Sequence, residues 1–215
     1  DGDDDLELRM SDQYWRLNNL YKIKNKQGMM VPYRFNWAQE RLYKERHFLN
    51  IILKARQLGC TTFIDLLFLD TCLFNSNKNA GIIAHHRDDA TKIFEEKILI
   101  PYQNLDPDFQ RAITTETESK SELQFNNHSY IRVGTSMRSA TLQYLHVSEY
   151  GITCARFPDK AQEIRTGALT TVQAGQMAFI ESTSKGRIGH FPELWDVAYD
   201  QYKRMMKLSQ LDWKI

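Results

Sequence analysis

Asn50-Ile51-Ile52-Leu53-Lys54-Ala55-Arg56-Gln57-Leu58-Gly59-Cys60-Thr61-Thr62 is the stretch whose reading decides the fold. The apolar run at 51–53 reads as a buried strand, and a polar turn closing on Gly59 follows it. The segment 61–74 (TTFIDLLFLDTCLF) is too long and apolar for a strand and suits a helix. A strand, a glycine turn and a helix N-terminus in succession bring free backbone N–H groups and the positive end of a helix dipole onto one anion. That is how a phosphate-binding loop is built.

Against the Walker A pattern G-x-x-x-x-G-K-[ST] the match is partial. Gly59 takes the second glycine and Thr61 the magnesium-binding hydroxyl, while Lys54 stands at the first glycine and Cys60 at the usual lysine. An ordinary strand–turn–helix connection competes with the phosphate reading. The displaced lysine favours the latter, because from the loop's mouth its stem reaches phosphate oxygens from the opposite side. Arg56 adds a second cation shaped for phosphate.

The chain's 215 residues, 42% hydrophobic and 26% charged, suffice for one large domain or two small ones. A net charge of +1 announces no nucleic-acid binder, so any basic surface has to be local. The longest apolar run falls well short of the ~20 residues a membrane helix needs, and no membrane association is expected. The start is acidic and carries no initiator Met, which reads as a trimmed or tagged end with no signal peptide. Cys60, Cys72 and Cys154 show neither metal spacing nor an even disulfide set, which points to a reducing compartment. A helix N-terminus favours a Cys60 thiolate, but no His–Asn or His–Asp pattern accompanies it, so a passive role is preferred.

Outward from the loop, a short helix is expected within residues 11–21, a turn at 24–28 and a helix over 37–47. Asn36 and Gln39 have the spacing of a capping box. An equally weighted reading has the Gln39 amide contact the adenine edge while Phe35 or Tyr33 stacks on the base. Strands are expected at 80–84, 142–147 and 177–180, with helices at 85–98, 160–169 and 191–206. A chain break is expected at 101–108, a mobile polar loop at 114–122 and a hairpin across Asn126-Asn127-His128. Adjacent His85 and His86 cannot share a helix face as zinc ligands do, and are placed at the sheet's carboxyl edge. Strands alternating with helices predict an α/β fold: a mainly parallel sheet with helices on both faces.

In such sheets, sites form at the carboxyl ends of strands. Leu145 to Val147 followed by Ser148-Glu149 has the outline of a Walker B strand, with Glu149 as the water-activating residue and Ser148 in the aspartate position. These pieces resemble the ATPase domain of the large terminase subunit, the DNA-packaging motor of tailed bacteriophages. The resemblance runs over about residues 30–200 through Trp37-Ala38-Gln39, the 54–62 loop, Leu145 to Gly151, Glu181-Ser182-Thr183-Ser184-Lys185-Gly186 and Gly189-His190-Phe191.

The resemblance implies a P-loop NTPase fold of the ASCE/RecA-like type over residues 31–215, preceded by a polar, helical extension at 1–30. It implies ATP and Mg2+ as cofactors, with Lys54, Arg56, Gln57, Leu58, Gly59, Cys60, Thr61 and Thr62 around the triphosphate. Thr61 and Ser148 would face the metal, and Gln39 and Phe35 the adenine. Glu149 would be catalytic, Arg56 or Arg138 the arginine finger (the latter reaching a neighbouring subunit), and Ser182-Thr183 the coupling motif. Double-stranded DNA, a portal protein, a small terminase subunit and a homo-oligomeric ring, a pentamer by resemblance, are the implied partners, in the host cell cytoplasm and outside the mature virion. The family's C-terminal nuclease domain is not expected in this chain, nor is DNA cleavage. Two other readings stay open: a nucleotide-binding assembly module with little turnover, suggested by Cys60 and Ser148, and a helicase-like P-loop ATPase.

Overall fold

The computed structural model describes residues 2–137, 141–172, 176–187 and 189–212. Helices α1 (Gly2–Ser11) and α2 (Gln13–Asn19) lead into a small hairpin, β1 (Lys22–Lys24) and β2 (Met30–Pro32). Helix α3 (Trp37–Glu45) precedes β3 (Leu49–Leu53), and α4 (Cys60–Phe74) follows the candidate phosphate loop. Strand β4 (Asn79–Ile83) is followed by α5 (Arg87–Ile93), a π-helical stretch (Phe94–Leu99), α6 (Ile100–Gln103) and α7 (Pro107–Ala112). Then come β5 (Thr115–Glu118), β6 (Glu122–Phe125), β7 (Tyr130–Gly134) and β8 (Tyr144–Val147). Helices α8 (Tyr150–Arg156) and α9 (Pro158–Glu163), the latter continued by a π turn (Ile164–Ala168), precede β9 (Met177–Ser182) and α10 (His190–Asp212).

The main sheet has the order β3-β9-β8-β4-β7-β6-β5. The strands from β3 to β7 in that order pair in parallel, and β6 and β5 add antiparallel at the far side. This is the mainly parallel α/β sheet expected, and alternation along the strands gives it two apolar faces. Ile82 and Phe179 point to a core with α2, α4 and the α5–α6 helix. Ile83, Leu145, Val147 and Ile180 point to a second core against Tyr150, Ile164 and Phe191. Helix α4 is buried all round, with Phe63, Ile64, Leu66, Phe68 and Leu69 at 0% exposure. Each such side chain contributes about 1.5–3 kcal/mol, so this one helix anchors the fold.

Several expectations need correction. The helix from Arg87 does not break at 101; it continues through Pro101 to Gln103. The π stretch makes room, since Ile100 N–H bonds five residues back to Glu95 O and shifts the register just before the residue that lacks a donor. The expected mobile loop at 114–122 contains β5, which bonds to β6. It looks like a loop because an outermost strand exposed on both faces has no apolar alternation, and its Glu116 and Glu118 discourage further pairing. Helix α8 was not foreseen. The 24–28 turn is present, but as the tip of the β1–β2 hairpin.

The segment upstream of the motifs shares the first core: Leu17 and Tyr21 are buried with Phe63 and Leu67. It is also fastened by a polar clamp. Arg16 grips Asp70 of α4 through Nε–Oδ1 at 3.1 Å and Nη2–Oδ2 at 2.8 Å. The Tyr21 hydroxyl donates to Asp70 Oδ1 at 2.8 Å and Gln13 Nε2 to Oδ2 at 3.2 Å. Asp70 is fully buried, so losing its guanidinium would leave a bare charge in the core. Arg16→Ala is expected to lower the unfolding free energy by about 3–5 kcal/mol, read from urea denaturation; a loss below about 1 kcal/mol, the value of an exposed pair, would show that the clamp is marginal.

Candidate functional site

The 54–62 loop leaves β3 with its backbone in register with β9, since Lys54 N–H donates to Ser182 O at 3.0 Å. Gln57 and Gly59 both have positive φ (67° and 74°), which curls the loop onto the start of α4. At Gly59 a side chain is excluded twice: the conformation is left-handed, and a Cβ would stand 2.6 Å from Gln39 Nε2. Gln39 occupies that space because it holds the loop, donating to Gly59 O at 2.8 Å. Its other end closes the capping box: Gln39 Oε1 accepts from Asn36 N–H, and the Asn36 side chain accepts from Gln39 N–H. Asn36 also donates to Leu58 O at 3.0 Å, so one helix cap braces two loop carbonyls.

Three elements then meet at the carboxyl edge of the sheet. On β8, Tyr144, His146 and Ser148 share one face by alternation; on β9, Phe179 and Glu181 do; on α4, Thr61, Asp65 and Phe68 recur at helical spacing. Phe68 packs on both Tyr144 and Phe179 at the inner end. Toward the edge the contacts turn ionic. His146 Nδ1 lies 2.7 Å from Asp65 Oδ1, and His146 Nε2 lies 3.4 Å from Glu181 Oε1 without an aligned hydrogen bond. Glu181 Oε1 accepts from the hydroxyls of Thr61 at 2.5 Å and Ser148 at 3.0 Å. Lys54 Nζ closes the group, 2.8 Å from Glu181 Oε2, 3.4 Å from Glu149 Oε1 and 3.5 Å from Thr61 Oγ1.

Glu181 has 0% exposure, so the charges around it set its state. Burial alone would push its carboxyl up, but His146 and then Lys54 outweigh burial and hold it at about 2. Burial likewise opposes the His146 imidazolium, yet Asp65 and then Glu181 raise it to about 9. Lys54 remains above its ordinary value because Glu181 and Glu149 overcome its desolvation. Burial and the Glu181 charge push the Cys60 thiol up, which fits a passive filler and not a thiolate nucleophile.

Glu149 begins α8 in the left-handed region, φ 51°, an uncommon conformation for a residue with a side chain. Its carboxylate accepts from Thr183 Oγ1 at 3.3 Å and Thr183 N–H at 3.5 Å. Ser182 Oγ accepts from Gly151 N–H at 3.1 Å. Position 151 has to be glycine, because a Cβ would stand 2.6 Å from that hydroxyl. A cavity of about 160 Å³ opens beside Ser148 and Glu149, walled by His85, Asp89, Lys92 and Glu96. A larger one of about 430 Å³, near His47 and Met177, lies at the amino ends of β3 and β9 and holds none of this chemistry.

The structure thus brings Lys54, Thr61, Ser148, Glu149, Ser182 and Thr183 together. Arg56 stands exposed on the loop, as does Gln57, whose Oε1 accepts from Lys26 of the hairpin tip at 2.6 Å. Thr62 opens α4 beside Thr61. Phe35 is partly buried, edge-on to Tyr14, Tyr33 and Phe63. Tyr33 is fully packed and has no face left for a base. Arg138 lies outside the described residues. His85 and His86 lie at the carboxyl edge, as expected, and His85 pairs with Asp89.

Among solved structures the chain matches the large terminase of bacteriophage HK97, with TM-score 0.59 and 16% identity over 80% of this chain and 38% of that one. It also matches the large terminase ATPase domain of Thermus phage P74-26, with TM-score 0.55 and 18% identity over 75% of this chain and 69% of that one. An arginine-to-alanine variant of the same domain gives TM-score 0.61 and 17% identity over the same shares. The chain has the fold of a phage large-terminase ATPase domain. It spans well under half of the HK97 protein. No protein-family profile and no curated protein matches the sequence. Among the described residues, no helix is long and apolar enough to cross a membrane.

Glu181, His146 and Asp65 were not among the site residues expected from sequence. The signal was present: Asp65 interrupts an apolar helix, and His146 and Glu181 interrupt apolar strands, each needing a buried partner. The raised His146 contributes stability in full below its ordinary value of 6.5 and loses it as pH rises through about 9. Unfolding free energy from urea titrations is therefore expected to fall between pH 6.5 and 9, and the fall should shrink in His146→Gln. An equally steep decline in that variant would place its origin elsewhere.

Proposed function

We propose that the chain is the ATP-hydrolysing module of a viral DNA-packaging motor. The observation that carries this reading is the convergence of Thr61 and Glu149 within 3.5 Å of the Lys54 ammonium, at the mouth of a loop curled for phosphate. The loop's N–H groups and the α4 N-terminus would receive the β- and γ-phosphates. Lys54 would exchange its carboxylate partners for phosphate oxygens, and Arg56, free to swing at the surface, would approach from outside. Adenine would lie over the segment that carries Phe35 and Gln39.

The donor set fits magnesium. The Thr61 and Ser148 hydroxyls face the same point, and Glu181 Oε2 is buried without an aligned hydrogen bond. Among the described residues no group of three or more His, Cys, Asp or Glu side chains forms a metal cage, which suits an ion that takes much of its coordination from nucleotide and water. When bound, magnesium neutralises charge on the β- and γ-oxygens. Glu149 would orient and deprotonate the attacking water, its carboxylate steadied by Thr183. Loss of the γ-phosphate would reach the rest of the molecule through Thr183 and Ser182, which bond to Glu149 and Gly151. Arg138 from a neighbouring copy would supply the transition-state cation, and DNA, portal protein and small subunit would be the partners of the assembled ring in the host cytoplasm.

ATP turnover measured over a wide range of protein concentration tests this. Glu149→Gln is expected to lower turnover by about 10²–10⁴-fold while nucleotide still binds, and Lys54→Ala to lose binding as well. Turnover rising faster than linearly with concentration is expected if a neighbour completes the site. Tight ATP binding with no turnover at any concentration would favour the assembly-module reading, to which Cys60 and Ser148 already lean.

A further inference from the structure

Ser148 leaves the expected magnesium site without the negative charge that a Walker B aspartate brings. The sheet register supplies a charge from the next strand. Val147 pairs with Ile180, so the residues that follow, Ser148 and Glu181, are neighbours across β8 and β9. Strands stand about 4.8 Å apart, and the glutamate side chain spans that gap: Ser148 Oγ is 3.0 Å from Glu181 Oε1. The same oxygen takes the Thr61 hydroxyl at 2.5 Å. Both hydroxyls assigned to magnesium therefore converge on one carboxylate. Its second oxygen, Oε2, is buried, lacks an aligned hydrogen bond, and lies 2.8 Å from Lys54 Nζ.

We propose that Glu181 supplies the anionic charge of the magnesium site in place of the missing Walker B aspartate, and that His146 is the positioning residue that fixes its carboxylate. The inference rests on the reading of the 54–62 loop as a nucleotide site. A carboxylate near a metal needs a second set of contacts to hold its direction, and here His146, 3.4 Å behind Oε1 and itself held by Asp65 at 2.7 Å, provides them. Ser148 then acts as the hydroxyl that aims Glu181, and the pair Ser148–Glu181 does across two strands what a single aspartate would do on one.

The test is the affinity of the full chain for a fluorescent ATP analogue, with Mg2+ and with EDTA. The unmodified chain is expected to bind more tightly with Mg2+. Glu181→Gln is expected to lose about 10–100-fold of that gain, read as the ratio of its own affinities with Mg2+ and with EDTA, and Glu181→Gln combined with Ser148→Asp to regain it. A folded Glu181→Gln chain that keeps the whole magnesium gain would overturn the proposal and leave the nucleotide reading standing. If the unmodified chain binds the analogue in neither condition, both fall. A readout that needs no variant is the assigned 13C resonance of the Glu181 carboxylate with Mn2+ and ADP present: broadening beyond detection is expected, and an unaffected signal sinks the inference.

Discussion

A carboxylate sealed from water between a helix and a sheet dictates its surroundings. An isolated buried charge is strongly unfavourable, so Glu181 at 0% exposure obliges the chain to bring cations and donors to it. His146 from β8 and Ser148 just beyond it, Lys54 from the loop and Thr61 from α4 are those groups, drawn from three separate stretches of chain. The obligation also explains the lysine's unusual place. From the front of the loop, directly after β3, its stem passes over β9 and reaches Glu181 and Glu149 at once.

The order of elements, the parallel sheet and the loop were legible because each has a local cause: apolar runs of strand length, a glycine turn, a capping box at Asn36 and Gln39. What escaped had non-local causes. The π stretch before Pro101 depends on backbone register, and β5 has no apolar face by which a strand is recognised. Glu181 was visible at the end of an apolar strand, just ahead of Ser182-Thr183, but its place in the cluster depends on which strand lies beside β9, and sheet order is not written in any one segment. Read in pairs, Tyr144-His146-Ser148 and Phe179-Glu181 grade from aromatic to ionic toward the same edge, a pattern that would have singled out the cluster.

Helix α4 links both charged centres of the molecule. Near its start it presents Thr61 to Glu181 and Asp65 to His146, and near its end Asp70 to the Arg16 clamp. Between them lie fully buried phenylalanine, leucine and isoleucine side chains. Interiors this dense transmit displacement instead of absorbing it, so a shift at the loop would be felt along the helix as far as the segment that precedes the motifs.

The two margins of the sheet are protected unequally. At one, β5 carries glutamates that deter further strands. At the other, β3 has the sequence LNIIL with no charge, Leu49 and Leu53 being 49% and 44% exposed, and among the described residues only β9 pairs with it. An uncharged outer strand is a template for backbone pairing. Here it runs directly into Lys54, so the adhesive margin and the 54–62 loop are one continuous piece of chain. Whatever lies along that margin, a foreign segment or another molecule of the same protein, would bear directly on Lys54 and its contacts with Glu181 and Glu149.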